Sequence, residues 1–343
     1  MSEKVKDKLS VGVDLGTSNL LIYVEGRGTL FNEPSIIAID KASNKVVSVG
    51  FEAQELVGKV HDKIEVVKPL SGGVIADIDM IKELLIYTLE KIFLSNYSQI
   101  SKLLICIPSE ITETEKSAIR QLGLELGIEN TMIDEEIKAA AIGGGLDIFT
   151  PNGHLVVDIG GGTTDFGVLS LGDVVLSKSI KIAGDYFDRQ ITDYIKEQHK
   201  LEIGPQTAER IKVKLSSLTG DFPKDEEGQR ITCDAMGRDL VSGLPRSVQI
   251  EAEEVREVLL ACFESIKSTL ISTLESTPPE LAGDLVDNGI ILTGGGSQIL
   301  GIKEYFEEIA KVEVQISLSP MTAVVDGTKR LLKMEKKHYF GEY

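Results

Sequence analysis

Tryptophan is absent from this chain, and only three of its 343 residues are cysteine and four are histidine. Cys106, Cys233 and Cys262 are too scattered for a zinc ligand set and too few for a disulfide framework, so three reduced, buried thiols are expected. His61, His154, His199 and His338 are dispersed, which leaves no basis for a Ser/His/Asp triad, and no H-E-x-x-H occurs. Neither G-x-x-x-x-G-K-[ST] nor a G-x-G-x-x-G following a strand is found, which excludes the P-loop and the dinucleotide fingerprint. Residues 1–10 lack the roughly 7–15-residue apolar core of a signal peptide, and no stretch approaches the roughly 18 apolar residues of a membrane span. A cytoplasmic location is expected. Basic side chains are also scarce: 36 Lys and Arg stand against 54 Asp and Glu, a formal charge of -18. The mean field repels phosphate, so nucleic acid is not expected as a partner and any contact with an anionic membrane must be local.

What remains is an ordinary globular composition, 42% hydrophobic and 26% charged, with 33 glycines. The length suggests roughly two domains of about 150 residues each. Residues 9–13 and 20–24 read as strands joined by a polar glycine turn, residues 36–39 and 45–49 as further strands, and residues 80–94 as a helix by apolar spacing. Residues 103–107 form a buried strand. Thr112 followed by Glu115 carries the capping-box pattern of a helix start, and a second helix is expected over 135–142. The charged, glycine-containing stretches 221–228 and 234–243 read as surface loops.

The pattern then restarts. Val13-Asp14-Leu15-Gly16-Thr17 has a counterpart in Val157-Asp158-Ile159-Gly160-Gly161-Gly162-Thr163, and each ends one apolar run and opens another. The chain reads as two copies of one unit. A third glycine cluster, Thr293-Gly294-Gly295-Gly296, again follows an apolar strand. A strand that ends in Asp and turns through Gly and Thr brings backbone N–H groups, a hydroxyl and a carboxylate to one point, because glycine lets main chain approach without a Cβ. Such turns cradle phosphates. In matched pairs they suit a polyphosphate gripped from two sides, with Asp14 and Asp158 holding Mg²⁺ through its waters. The plainer alternative is that both carboxylates only cap turns.

These turns resemble those of the actin, Hsp70 and sugar-kinase ATPase superfamily, and longer strings resemble the bacterial actin family MreB. The strings are Asn32-Glu33-Pro34-Ser35, Lys68-Pro69-Leu70, Gly73-Val74-Ile75-Ala76-Asp77, Ile107-Pro108-Ser109, Ala139-Ala140-Ala141-Ile142-Gly143, Ile182-Ala183-Gly184-Asp185, Gly237-Arg238-Asp239-Leu240, Gly243-Leu244-Pro245 and Thr277-Pro278-Pro279-Glu280-Leu281-Ala282. The resemblance implies an α/β, actin-like (ribonuclease H-like) fold: two duplicated halves around a nucleotide cleft, each on a mixed five-stranded sheet and each with a small subdomain. Subdomain IA is expected over 1–35, 68–147 and 325–343, IB over 36–67, IIA over 148–184 and 246–324, and IIB over 185–245. ATP, with GTP as the alternative, is the implied nucleotide, together with Mg²⁺.

By the same resemblance, Gly16, Thr17, Ser18 and Asn19 would hold the β-phosphate, and Gly160, Gly161, Gly162, Thr163 and Thr164 the γ-phosphate. Asp14 and Asp158 would hold Mg²⁺ through water. Glu136 matches a water-positioning glutamate, and Thr164 a threonine that orients the same water. Glu209 and Lys212 match the pair that contacts sugar and base, although their spacing of three also suits an ordinary ion pair on a helix. Gly294, Gly295 and Gly296 would let main chain close over the nucleotide. Ile92, Phe93 and Leu94 lie where the family's membrane loop falls, with burial at a helix end as the alternative, and the basic, aromatic tail 329–340 is a second candidate for headgroup contact. Self-assembly into head-to-tail filaments, with antiparallel pairing through the helix opened by Thr112, and a role in cell shape are implied. An Hsp70-like chaperone ATPase and a small-molecule kinase are the rivals within the superfamily. Two departures from the family pattern stand out: Ile137-Lys138 follow Glu136 where Pro-Met is common, and Asp165 stands where a longer Glu is common.

Overall fold

A computed structural model describes residues 8–60 and 62–334; His61, His338, the residues before Lys8 and the tail candidates beyond Met334 lie outside the described residues. The chain divides into two compact units. The first runs to Pro151 and takes in Leu169–Val174 and the chain from Met321; the second comprises Asn152–Val168 and Val175–Pro320.

In the first unit, β1 (Leu9–Leu15), β2 (Asn19–Val24) and β3 (Gly28–Pro34) form an antiparallel meander. The chain then leaves for a small sheet of β4 (Ile37–Asp40), β5 (Lys45–Val49) and β6 (Ile64–Val67), with the short α1 (Phe51–Gln54) beside it. A ribbon of β7 (Leu70–Ser71) and β8 (Val74–Ile75) leads to α2 (Ile78–Phe93). Asp77 caps α2 by accepting the N–H groups of Asp79 and Met80. Met80, Ile81, Leu84, Leu85, Leu89 and Phe93 form its buried stripe. Each such side chain contributes roughly 1.5–3 kcal/mol by leaving water, which is why this helix is set by its apolar spacing. β9 (Ile100–Ile107), α3 (Glu113–Glu125), β10 (Thr131–Glu135) and α4 (Glu136–Gly143) follow. The expected capping box is present: Thr112 Oγ1 accepts from Glu115 N, and the Glu115 carboxylate accepts from Thr112 N. The large sheet has the order β3-β2-β1-β9-β10, with β9 parallel to both its neighbours.

The second large sheet repeats that order as β13 (Asp173–Ile180), β12 (Thr164–Ser170), β11 (His154–Ile159), β17 (Ile290–Thr293) and β18 (Val314–Ile316), the last two parallel additions to β11. Here too a hairpin-like run is followed by two strands from much later in the chain, so the duplicated sequence pattern corresponds to a duplicated sheet. Between them come α5 (Gly184–His199), β14 (Leu201–Glu202), α6 (Pro205–Leu215), β15 (Cys233–Asp239), β16 (Pro245–Ile250), α7 (Ala252–Ser276) and α8 (Pro279–Asn288). α9 (Ile302–Ala310) lies between β17 and β18. Residues 234–239, read as loop from their charge, are strand: burial alternates from Cys233 through Ala235, and only small side chains face inward. That leaves few bulky residues to signal a strand. All three cysteines are free and buried.

The last helix, α10 (Ala323–Leu331), packs back into the first unit against α4 and β1 at backbone distance. A Cβ on Gly12 would collide with the Thr328 side chain, one on Gly143 with the Ala323 carbonyl, and one on Gly327 with the Ala139 carbonyl. Two of these obstacles are main chain and cannot swing aside. Gly327→Ala should therefore lower stability by roughly 1–3 kcal/mol, the usual cost of overpacking. Gly283→Ala, in α8 with nothing within 4 Å of the new Cβ, should be neutral or stabilising by up to about 1 kcal/mol. Urea denaturation of both variants checks this, and equal midpoints would refute the close-packing account.

Candidate functional site

The sequence candidates of the first unit gather at the carboxyl end of β1. Asp14 and Thr17 are buried, and Gly16 leaves no room for a side chain, since a Cβ there would stand 2.8 Å from the Asn19 carbonyl oxygen. The turn is braced from a direction that motif reading did not supply. Ser35 Oγ donates to the Gly16 carbonyl at 2.7 Å, and Ser35 N donates to the Ser18 carbonyl at 2.9 Å. Ser35 was visible only as part of the Asn-Glu-Pro-Ser string. Strand register sets Asp14 beside Cys106 of β9 and Cys106 beside Asp134 of β10. Burial first, then the charges of Asp134, Asp14 and Glu136, push the Cys106 thiol well above its ordinary pKa, while Lys138 opposes them. The field of all four charged groups thus reaches one buried thiol, and Glu136, the first residue of α4, is one of them.

Lys138 does not stand free beside Glu136. It is buried, with its Nζ 3.8 Å from Asp134 Oδ2.

In the second unit the counterpart turn follows β11. Asp158 is buried, and its Oδ1 accepts from Thr293 Oγ1 at 2.9 Å. Burial, then the nearby Asp165 charge, push its carboxyl up to about 7 against the Thr293 bond. The turn closes through Gly160 N donating to the Thr163 carbonyl at 2.9 Å, and Thr163 Oγ1 donates to Asp165 Oδ2 at 2.7 Å. The short Asp165 thus folds onto its own turn. Thr164 is wholly buried and donates its hydroxyl proton to the Ile182 carbonyl at 2.6 Å, which leaves its oxygen only acceptor capacity. The start of α5 is pinned to the same turn, with Gly184 N and Asp185 N donating to the carbonyls of Gly160 and Gly161 at 3.1 and 2.7 Å.

Lys212 of α6 reaches back to this start. Its Nζ donates to the Gly184 carbonyl at 3.1 Å and to Asp188 Oδ2 at 2.9 Å. The cation is thus bound to α5, whereas Glu209, one turn earlier on α6, is exposed. Burial raises the Asp188 carboxyl to about 6, against the pull of Lys212. The three late glycines divide by role. Gly294 has φ +78°, and a Cβ there would lie 2.6 Å from Asp158 Oδ1; one on Gly296 would overlap Ile159. Both are demanded by packing against the end of β11. Gly295 has nothing within 4 Å of its Cβ position, so of the three it is the one with room for a ligand.

The membrane candidates also divide. Phe93 is 4% exposed in the core and Ile92 packs against that core, whereas Leu94, in the left-handed region at φ 49°, is 83% exposed. The stretch thus presents one apolar side chain, and Phe93 in particular belongs to the interior because it completes the buried stripe of α2. Leu331 and Leu332 at the start of the tail are likewise buried. Among the described residues no helix is long and apolar enough to cross a membrane, and no group of three or more His, Cys, Asp or Glu residues could hold a metal directly.

The chain matches the MreB/Mbl protein family over residues 8–339. It belongs to that family. Among MreB/Mbl relatives it is 44% identical to the cell shape-determining protein Mbl of Bacillus subtilis, over 94% of this chain and 95% of that one. It is 36% identical to the cell shape-determining protein MreB of Escherichia coli, over 96% and 94%. The crystal structure of MreB5 of Spiroplasma citri bound to AMPPNP superposes with a TM-score of 0.90 at 40% identity, covering 98% of this chain and 99% of that one. The MamK double helical filament subunit, 24% identical, shares the fold at a TM-score of 0.77, covering 96% and 99%. The expected actin-like fold is therefore present, and family membership decides against the chaperone and small-molecule kinase readings.

The raised carboxyl of Asp158 has a measurable consequence. With a folded pKa near 7 against about 4 when unfolded, the group supports folding fully only below the lower value, and that support is lost as pH rises through the higher one. Asp158→Asn keeps an acceptor for Thr293 without the charge. In buffer free of metal and nucleotide, its thermal midpoint should gain on the unaltered protein from pH 4 to about 7 and then level off. A difference independent of pH would contradict the assignment.

Proposed function

We propose that this member of the MreB/Mbl family is a cytoskeletal ATPase: it binds ATP with Mg²⁺, hydrolyses it slowly and polymerises head to tail into filaments that contribute to cell shape at the inner face of the membrane. The observation that carries the reading is the matched pair of Asp-Gly-Thr turns, one at the end of the first strand of each large sheet. In support, relatives carry the name cell shape-determining protein, and structures of a 40% identical relative are described as bound to AMPPNP and to ADP.

The residues suit an anionic ligand despite the net charge of -18. Backbone N–H groups of Gly16, Thr17, Ser18 and Asn19, and of residues 160–164, would hold the β- and γ-phosphates. Asp14 and Asp158 are both buried, and the carboxyl of Asp158 is raised by that burial. A water-clad Mg²⁺ bound there would supply countercharge to both carboxylate and phosphate. Glu136 would orient the attacking water, and Thr164, whose proton is committed to Ile182, would serve as acceptor. Positioning of this kind needs no covalent intermediate. Lys212, fixed by Asp188 and Gly184, would face sugar and base with Glu209, and Gly295 would lie against the nucleotide. The four-subdomain division, GTP as an alternative nucleotide and antiparallel pairing through α3 belong to the same proposal. An open head-to-tail contact propagates where a closed one would stop.

Three outcomes check this. Glu136→Ala should bind ADP and AMPPNP with near-native affinity while phosphate release falls by about tenfold or more; native release kinetics would remove Glu136 from its role. Electron microscopy with ATP and Mg²⁺ should show filaments of the unaltered protein. For the membrane, co-sedimentation with anionic vesicles should fall for Leu94→Glu, with the fold intact because that side chain is 83% exposed. Equal sedimentation of Leu94→Glu, and of a chain truncated after Met334, would exclude both membrane candidates.

A further inference from the structure

One buried charged pair is not used by that mechanism. Asp134 in β10 and Lys138 in α4 bracket Glu135 and Glu136, and their side chains are only 11% and 9% exposed. Asp134 Oδ1 accepts the backbone N–H of Glu135 at 2.9 Å, while the solvent-excluded Oδ2 faces the Lys138 ammonium at 3.8 Å. The pair therefore spans the junction at which strand becomes helix, with the carboxylate on the strand side and the cation on the helix side. Glu136 lies between its two members as the first residue of α4. The α4 N-cap, Glu135, supplies no side-chain cap bond, so the junction lacks the usual device for fixing a helix start.

We propose that Lys138 is a positioning residue for Glu136: its buried ion pair with Asp134 ties the end of β10 to the first turn of α4 and thereby fixes the direction in which Glu136 points. The proposal rests on the reading that Glu136 directs hydrolysis. Breaking a buried pair from one side leaves an uncompensated charge that must move or be neutralised, and the junction moves with it. Replacing both members by neutral residues of similar size removes that stress. Displacing a water-orienting group by a fraction of an ångström lowers turnover far more than it lowers nucleotide binding.

The test is a double-mutant cycle on the full chain, with steady-state phosphate release and ADP affinity measured for the unaltered protein, Glu136→Ala, Asp134→Asn, Lys138→Met and the double variant Asp134→Asn/Lys138→Met, well below each thermal midpoint. Each single variant should lose about tenfold to hundredfold in kcat with KM and ADP affinity within about twofold. The double variant should recover to within about threefold of the unaltered protein. Native kcat in Lys138→Met, or a double variant no better than the singles, overturns the proposal. So does a double variant with native rate when both singles fail to fold, since that assigns the pair to stability alone. If the unaltered protein releases no phosphate, the ATPase reading itself fails; if Glu136→Ala releases it normally, the assignment of Glu136 fails and the positioning role with it. A normal Glu136→Ala effect with an unaffected Lys138→Met defeats the positioning role only.

Discussion

Placing a carboxylate inside the protein at the end of a strand is the constraint from which most of the local architecture follows. Water is removed from Asp14 and from Asp158, and at Asp158 burial disfavours the charged form. The surroundings answer in kind. Thr293 donates to Asp158, and the glycine at 294 keeps a Cβ from crowding the same oxygen. On the first sheet the register carries the problem sideways, since Asp14, Cys106 and Asp134 stand side by side on β1, β9 and β10. A cation at position 138 offsets the far member of that row. Lys138 thus makes sense as charge compensation for a strand-end carboxylate, not as an intrusion beside Glu136.

The glycines show how backbone contact is apportioned. Gly12, Gly143 and Gly327 are spent on bringing α10 against β1 and α4, and Gly294 and Gly296 on seating a turn upon β11. Gly16 keeps its own turn tight. Gly295 is different because the space beside it is open. A glycine-rich string therefore mixes residues fixed by the fold with residues free to meet a ligand, and composition cannot separate them.

Much of this was legible in the sequence. The repeat of Asp-apolar-Gly-Thr announced the duplicated sheets, Thr112 and Glu115 announced a helix start, and the longer strings announced the family. What escaped detection depended on long-range packing. The pairing of Lys212 with Asp188 joins two helices, so no spacing within α6 could reveal it. The resemblance set Phe93 in a membrane loop, with burial at a helix end as the alternative, and it is the burial that the structure shows, because Phe93 completes the stripe of α2. Strand β15 escaped because its inward residues are small. In each case the deciding partner lies far along the chain or on the opposite face.

Ser35 sits where the chain leaves the large sheet, just after β3, for the small sheet that begins with β4. Its hydroxyl and its amide are both bonded to the turn that follows β1. The doorway to the small sheet and the loop proposed to hold the β-phosphate are consequently one mechanical part. A pull on the small sheet by a neighbouring molecule would reach the carbonyl of Gly16 through a single serine, and tightening of that turn around an anion would be transmitted outward by the same route.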